Sequence, residues 1–168
     1  MNIALRDAEP SDAAWLDTWF PSAASAMGYP QTAVADLFAR TKDEPALQLR
    51  IILLAAAPVG LVVYSVPTVA RAFQPARTPR PTLTSRSAIF ELIATPKAHA
   101  RKGAGMTAVA LAEAEMRAAG AETAFAPAVA VNGISTYFWI RLGYAPLFRP
   151  EWPCNHEGVA WLHRNLTE

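Results

Sequence analysis

A basic, glycine-containing turn is the strongest chemical signal in the sequence. It spans residues 100–105, Ala-Arg-Lys-Gly-Ala-Gly, between an apolar strand-like run at 90–96 and an Ala-rich helical segment. The first turn of a helix exposes unpaired N–H groups and the positive end of the helix dipole. Glycines let a phosphate approach those donors, and Arg101 and Lys102 add formal positive charge. The pattern predicts a phosphate site, with an ordinary glycine turn before a helix as the alternative.

Two better-known phosphate motifs are absent from this turn. No Gly-Lys-Ser/Thr follows at the spacing of a nucleoside-triphosphate P-loop. A dinucleotide fingerprint has a third glycine three positions after the second, and the sequence has no glycine there. A protein that binds ATP through the same glycine turn is an alternative interpretation.

A second segment, residues 132–144, places an asparagine before an aromatic-rich helix that ends at Leu142-Gly143-Tyr144. Together, the two segments resemble the GNAT superfamily, the acetyl-CoA-dependent N-acetyltransferases. The turn matches the family pattern Gln/Arg-x-x-Gly-x-Gly/Ala from its fourth position, with Ala100 in the Gln/Arg position. The second segment matches Asn-x-x-Ala-x-x-Phe-Tyr-x-Lys-x-Gly-Phe at Asn132, Ser135, Phe138, Trp139, Arg141, Gly143 and Tyr144. Two such blocks in the right order are more specific than either alone.

The resemblance implies a single α/β domain over residues 1–168 with the GNAT fold, a mixed sheet of about seven strands flanked by about four helices. It implies transfer of an acetyl group from acetyl-CoA, as co-substrate, to an amine of a small molecule or protein. A non-catalytic acyl-CoA-binding module with the same fold is the alternative. The cofactor-binding residues that the resemblance implies are Leu92, Ile93, Ala94, His99, Arg101, Lys102, Gly103, Ala104, Gly105, Met106, Asn132, Ser135 and Phe138.

The resemblance also places two residues beside the reacting groups. Glu91, the only acid between residues 45 and 112, is the candidate general base for the amine proton. A carboxylate paired with a nearby arginine is the alternative reading of Glu91. Trp139 occupies the position of the family's tyrosine, and an indole N–H is not a practical proton donor. Tyr137 lies about 200° around the helix from Trp139 and should face elsewhere.

The elements that must position these residues follow a β-α-α-β-β-β-α-β-α-β-β order. Strands are predicted at 3–6, 47–56, 59–66, 87–95, 122–131, 144–149 and 158–164, with a hairpin turn at Ala57-Pro58. Helices are predicted from Ser11 or Asp12 to Pro21 and at 31–42, 104–119 and 132–142. Pro127 has no N–H and is compatible with the gap between the strands at 87–95 and 122–131 that the family uses for pantetheine.

Charge is unevenly distributed along the chain, although the net charge is only +1. Residues 45–102 carry eight basic residues and one acid, whereas residues 1–44 carry a net charge of −4. The basic middle favours an anionic ligand, with a solvated face as the alternative. The acidic N-terminal region would favour a cationic acceptor. The small net charge gives no general attraction to nucleic acid or membranes, so neither is expected as a partner.

Composition limits the class of protein, its use of disulfides and its location. A chain of 168 residues with 52% apolar residues can bury a sizeable core, which excludes whole-chain disorder. The single cysteine, Cys154, excludes an internal disulfide framework and, with His156 nearby, is expected to bind no metal. This cysteine usage suits a reducing cytoplasm, which is the expected location.

The remaining apolar and proline-rich features have structural interpretations. Trp15, Trp19 and Phe20 are predicted to form a core face, and Trp152 and Trp161 to pack internally or contact a second copy in a homodimer. The proline-rich basic segment 67–86 is predicted to be a long loop that covers the acceptor cleft or contacts a subunit.

Overall fold

The computed structural model describes residues 2–26, 33–66, 81, 83–100, 102–129, 133–147 and 159–167. Its strands are β1 (Ile3–Asp7), β2 (Leu47–Leu54), β3 (Ala57–Ser65), β4 (Ser87–Ala94), β5 (Thr123–Val129), β6 (Ala145–Pro146) and β7 (Val159–Asn165). Its α-helices are α1 (Ala13–Asp17), α2 (Phe20–Ala26), α3 (Val34–Asp43), α4 (Ala104–Ala118) and α5 (Gly133–Arg141). Short 3-10 helices cover Pro10–Asp12 and Lys97–His99.

The described elements confirm the predicted mixed sheet, with five α-helices where about four were expected. The extra helix arises because the first predicted helix is two, α1 and α2. Pro21 is the second residue of α2, where its missing N–H interrupts no intrahelical hydrogen bond and its fixed φ suits a helix start. The chain therefore restarts a helix at Phe20 instead of continuing α1.

The seven strands form one sheet in the order β1-β2-β3-β4-β5-β7-β6. All neighbouring pairs are antiparallel except β4 and β5, which are parallel. A parallel pair needs a long crossover connection, and α4 provides it. The crossover places the N-terminus of α4 directly after the carboxyl end of β4, so the predicted phosphate turn lies at that edge of the sheet.

Helices cover both faces of the sheet. On one face, α4 contributes Ala104, Ala108 and Ala112, which recur every four residues and bring the helix close to the sheet. The same cluster includes Trp139 of α5. On the opposite face, α1 to α3 bury a second cluster that includes Leu16, Phe20 and Leu37, with Trp15 and Trp19 packed against it. The predicted core role of the aromatic residues at 15–20 is confirmed.

The hairpin turn between β2 and β3 differs from the prediction. Its two turn residues are Ala55 and Ala56, with φ of 49° and 71°, and not Ala57-Pro58. Two left-handed residues match the twist of the flanking strands, as a type I′ turn does. Pro58 lies inside β3 opposite Leu53, where the register shifts. A proline is tolerated at such an irregularity because no regular ladder hydrogen bond is required from it.

Strand β4 contains the irregularity that matters for the site. Val63 pairs with Leu92 and Tyr64 with Phe90, which leaves Glu91 as an extra residue in β4. A bulge of this kind bends its strand and re-aims side chains. On its other edge β4 pairs with β5 only from Ser87 to Ile89, opposite Thr123 to Phe125. The two strands therefore diverge at the bulge, as the gap predicted at Pro127 requires.

Several predicted features lie outside the described residues. They are Arg101, Asn132, Trp152, Cys154, His156 and most of the proline-rich segment, residues 67–80 and 82. Trp161 is buried in a cluster with Ile89 and Phe125, as the packing interpretation predicted. Within the described part of the chain, no helix is long and apolar enough to cross a membrane.

A partly buried ion pair holds the start of the first helical segment against β1. Arg6 donates two hydrogen bonds to the carboxylate of Asp12, at 2.6 and 2.7 Å, and the Glu9 N–H donates a third at 2.8 Å. The Arg6 hydrogen bonds hold the pKa of Asp12 below its ordinary value, although burial acts in the opposite direction. Asp12 therefore stabilises the fold as a carboxylate.

We expect Asp12→Asn to lower the free energy of unfolding at pH 7 by about 1–2 kcal/mol, the size of hydrogen bonds to a partly exposed charged group. Because the folded-state pKa is depressed, the wild-type advantage is present above the unfolded pKa of about 3.9 and shrinks as the pH falls through the folded value. Urea unfolding of both proteins between pH 7 and pH 3 measures this. A difference that stays constant over that range would contradict the assignment.

Candidate functional site

A cavity of about 870 Å³ opens where β4 and β5 diverge. The carboxyl end of β4, the N-terminal turn of α4, one residue of β5 and one side of α5 enclose it. The lining residues are Leu92, Ile93, Ala94, Thr95, Lys97, His99, Ala100, Gly103, Ala104, Gly105, Met106, Pro127, Ile134, Ser135, Tyr137, Phe138, Trp139 and Arg141.

The cavity brings together most of the residues that the sequence assigned to a cofactor. Leu92, Ile93, Ala94, His99, Gly103, Ala104, Gly105, Met106, Ser135 and Phe138 all line it, together with Trp139. Lys102 is exposed and is not among the lining residues. Arg101 and Asn132 lie outside the described residues, and Glu91 does not line the cavity.

The N-terminal turn of α4 forms one end of the cavity. Gly103 occupies the N-cap position with φ of 80°, a left-handed conformation that glycine adopts without steric cost. A glycine at this position has no side chain to cap the helix, so the N–H groups of the first turn stay available to an anion. The predicted turn geometry therefore presents main-chain donors and the positive helix end to the cavity.

The exposed edge of β4 forms the long side of the cavity. Beyond Ile89, β4 has no strand partner on its β5 side among the described residues, and Leu92, Ile93 and Ala94 line the cavity there. An unpaired strand edge presents N–H and C=O groups at regular intervals, which an extended ligand can satisfy as an added strand would.

The charge of the lining is positive. Lys97, His99 and Arg141 line the cavity, and no acidic side chain is found among its described lining residues. Lys97 and Arg141 were not assigned to the site from the sequence, although Lys97 belongs to the basic middle region that predicted an anionic ligand. Within the described residues, no cluster of three or more His, Cys, Asp or Glu could hold a metal ion.

Tyr137 also lines the cavity, contrary to the expectation that it faces elsewhere. Its side chain is mostly exposed, and the Arg141 guanidinium carbon lies 5.8 Å from its ring centroid. The helical angle places Tyr137 away from Trp139, but the cavity reaches around α5 to its exposed side. Tyr137 therefore lies at the rim and Trp139 at the base.

Trp139 is buried at the base of the cavity. Its ring centroid lies 5.2 Å from that of Phe90, 5.1 Å from Phe138 and 5.0 Å from Tyr144. Its indole N–H donates a hydrogen bond of 3.2 Å to the carbonyl of Pro127. This hydrogen bond uses the only donor of the indole, and it joins α5 to β5 where β5 no longer pairs with β4.

Glu91 is fully buried at the bulge, and its carboxylate lies on the side of β4 that faces α3. Its Oε2 lies 3.1 Å from Nη2 of Arg40, and Arg40 also contacts Glu44, one turn further along the chain. Burial alone would lower the pKa of Arg40, but Glu91 and Glu44 outweigh it and raise that pKa. The structure therefore contains the arginine pair that was the alternative reading of Glu91.

We expect Trp139→Phe to lower the free energy of unfolding by about 1–3 kcal/mol, because it removes a buried hydrogen bond and leaves a small void. Tyr137→Phe, on the exposed side of the same helix, is the control and should change stability by no more than about 0.5 kcal/mol. Chemical denaturation measures both variants. Equal stability of Trp139→Phe and wild type would show that the Trp139–Pro127 contact does not hold β5.

Comparison with known proteins extends the description of the fold. No protein-family model matches the sequence, and no curated protein matches it. An acetyltransferase from Thermus thermophilus superposes with a TM-score of 0.75 at 16% identity, covering 98% of this chain and 97% of that one. The yncA protein from Salmonella typhimurium, solved with its cofactor acetyl-CoA, gives 0.70 at 14% identity, with 100% and 96% covered.

A third structure, spermidine N-acetyltransferase from Vibrio cholerae in complex with CoA and spermine, has a TM-score of 0.70 at 15% identity and covers 98% of this chain and 96% of that one. These similarities extend over nearly the whole chain. They confirm the fold that the two sequence blocks implied: the chain has the GNAT acetyltransferase fold.

Proposed function

We propose that the protein is an N-acetyltransferase that moves an acetyl group from acetyl-CoA to an amine by direct attack. One observation carries the proposal: the cavity joins an uncapped helix N-terminus to an unpaired strand edge. The first suits a pyrophosphate and the second suits an amide-containing arm. Coenzyme A has both parts in that order. The solved structures of the same fold that hold acetyl-CoA or CoA support the assignment.

In this proposal the pyrophosphate binds the main-chain N–H groups of residues 103–106. Lys97 and Arg141 contribute positive charge around it, and the exposed Lys102 adds charge beside the turn. The pantetheine arm lies along Leu92 to Ala94 and hydrogen-bonds to β4. Phe138 and Ser135 then line the cavity opposite β4. Most of the affinity comes from main-chain donors and apolar contacts, because few charged side chains line the cavity.

The acetyl group would lie where β4 and β5 separate, beside Trp139 and the Glu91 bulge. In this proposal the amine reaches the thioester from the α1–α3 face. The amine nitrogen bonds to the carbonyl carbon, the C–S bond then breaks, and the thiolate of CoA leaves. In this proposal the nitrogen loses its proton to Glu91 through water, because the carboxylate is fully buried, paired with Arg40 and outside the cavity lining.

The thiolate leaves without a protein acid in this scheme. The indole N–H of Trp139 is engaged by the Pro127 carbonyl and holds no transferable proton. A thiol has an ordinary pKa of about 8.5, so its thiolate is a fair leaving group near neutral pH. Trp139 therefore shapes the base of the cavity, and solvent returns the proton to sulfur.

The acceptor we propose is a cationic amine of a small molecule or a protein. The spermine bound to the Vibrio cholerae enzyme is an example of a small polyamine on this fold. The net charge of −4 over residues 1–44 favours such an acceptor on the α1–α3 face. Homodimer formation and a cytoplasmic location stay predictions from the sequence.

A non-catalytic acyl-CoA-binding module is the second candidate. The observation that favours it is the same Trp139–Pro127 hydrogen bond, which leaves the family's tyrosine position without a proton donor. This candidate binds acetyl-CoA with the same residues and releases no thiol.

Calorimetry with acetyl-CoA, followed by a thiol-release assay over an amine panel, tests both candidates. The panel contains spermidine, spermine, small monoamines and peptides with free amino groups. Binding with amine-dependent thiol release supports the transferase, and binding without release over the whole panel supports the module. Binding of ATP in preference to CoA would contradict both.

We expect Gly105→Asp to weaken acetyl-CoA binding by about tenfold or more, because a carboxylate at the start of α4 repels the pyrophosphate and competes for the main-chain N–H groups. A Cβ at position 105 would lie 3.6 Å from Phe138 and 3.7 Å from Ile93, which are ordinary contacts. An acidic side chain in the first turn of a helix is favourable in the free protein, so its stability should not fall.

Gly133→Asp is the control for this variant, because it adds the same carboxylate at the start of α5, where a Cβ meets no atom of the described residues within 4 Å. Calorimetry gives the affinities and thermal unfolding gives the stabilities. Unchanged affinity of Gly105→Asp for acetyl-CoA would remove the α4 turn from the site.

We expect Glu91→Gln to lower kcat/KM by about 10²-fold, the usual scale for loss of a general base. Acetyl-CoA affinity should not change, because Glu91 does not line the cavity. The acidic limb of the pH–rate profile should also flatten.

Glu44→Gln is the matched control, since it removes the other carboxylate on Arg40 and leaves the Glu91–Arg40 pair in place. Equal losses in the two variants would show that the carboxylates only hold Arg40. A folded Glu91→Gln variant with wild-type activity would assign the amine proton to solvent.

A further inference from the structure

Gly60 lies under the end of β4 at a distance that no other residue type allows. It belongs to β3, one residue before the last pair of the β3–β4 ladder, Leu61 with Ala94. A Cβ built on Gly60 would lie 2.6 Å from the carbonyl oxygen of Ala94 and 2.8 Å from Cγ2 of Thr95. It would also lie 3.3 Å from Cδ1 of Ile52. Real Cβ atoms do not approach backbone oxygen atoms this closely, so any side chain at 60 must displace the β4 end.

The direction of that displacement matters because both contacted residues line the cavity. Ala94 and Thr95 form its wall at the carboxyl end of β4. The Ala94–Thr95 peptide lies over Gly60, on the side of β4 away from β5. A side chain at position 60 must therefore displace this peptide. The wall that Ala94 and Thr95 form moves with it, which changes the shape of the cleft between β4 and β5.

Neighbouring residues cannot move aside to make room for a side chain at position 60. The Cβ of Gly60 would point to the same face as Ile52, Val62 and Tyr64, which are all fully buried. A packed interior transmits such a shift instead of absorbing it. The far end of a flexible side chain could move, but the nearest atom is a backbone oxygen.

We propose that Gly60 is a positioning residue for acetyl-CoA: by having no side chain, it lets the end of β4 bend over β3 and holds the cleft open for the pantetheine arm. This inference rests on the proposed function, because it assigns Gly60 to the same cofactor site. Gly60 does not touch the cofactor and acts through the Ala94–Thr95 peptide. It affects the pantetheine part of the site and not the phosphate part at the α4 turn.

The test compares two ligands on Gly60→Ala and wild type by calorimetry. The ligands are acetyl-CoA and 3′-phospho-ADP, which is CoA without the pantetheine arm. We expect Gly60→Ala to bind acetyl-CoA about tenfold more weakly, the effect of losing one main-chain hydrogen bond, and to bind 3′-phospho-ADP as wild type does. Gly133→Ala, where a Cβ meets no atom of the described residues within 4 Å, should bind both ligands as wild type does.

Three results would overturn the proposal. They are wild-type affinity of folded Gly60→Ala for acetyl-CoA, an equal loss for both ligands, and an equal loss in Gly133→Ala. Failure of wild type to bind acetyl-CoA would instead contradict the proposed function itself.

If Gly60→Ala does not fold, Gly60→Ala/Thr95→Ser takes its place, with Thr95→Ser alone as its reference. The serine removes the methyl group that lies 2.8 Å from the new Cβ. The double variant should show the same selective loss of acetyl-CoA affinity. Failure of both variants to fold would overturn the proposal, because Gly60 would then be required by the fold and not by the cleft.

Discussion

The separation of β4 from β5 is the constraint on which the rest of the site depends. Parallel strands pair readily, and these two do so from Ser87 to Ile89. Pairing then stops at the bulge formed by Glu91, and β5 continues with Pro127, which has no N–H to donate. Without this separation the edge of β4 would be satisfied by β5, and no ligand could bind it. The cavity therefore arises because two strands stop pairing, and the side chains only line the space that results.

Both sides of the gap are held in place by packing. On the β4 side, Gly60 allows the strand end to bend toward β3. On the β5 side, Trp139 donates its N–H to the Pro127 carbonyl and packs among three aromatic rings. Behind the bulge, Arg40 faces the buried carboxylate of Glu91. Such contacts fix the geometry before a ligand arrives, so little binding energy is lost to ordering the protein.

In the proposed function, the site would bind an anion through main-chain N–H groups as much as through formal charge. The chain as a whole is nearly neutral, yet the described lining contains Lys97, His99 and Arg141 and no acid. Main-chain N–H groups at the α4 turn are oriented by the helix and need no side-chain entropy to position them. The net negative charge of residues 1–44 belongs instead to the segment that supplies the helices of the opposite face. The proposed cationic acceptor and anionic cofactor would therefore meet opposite charges on the two faces of the sheet.

The sequence by itself determined the strands, their order and the position of the glycine turn, because hydrophobic period, glycine and proline act locally. It predicted one helix where the structure has α1 and α2. The two motif blocks also determined most of the residues that line the cavity. Only the tertiary structure decided three further points: Glu91 faces Arg40 from a bulge, the cavity reaches around α5 to Tyr137, and the β2–β3 turn falls at Ala55-Ala56. Each depends on strand register or on which atoms lie across a packed interface. The spacing of residues along one element does not predict these three points. A shift of one residue in strand register moves every side chain of that strand to the opposite face of the sheet.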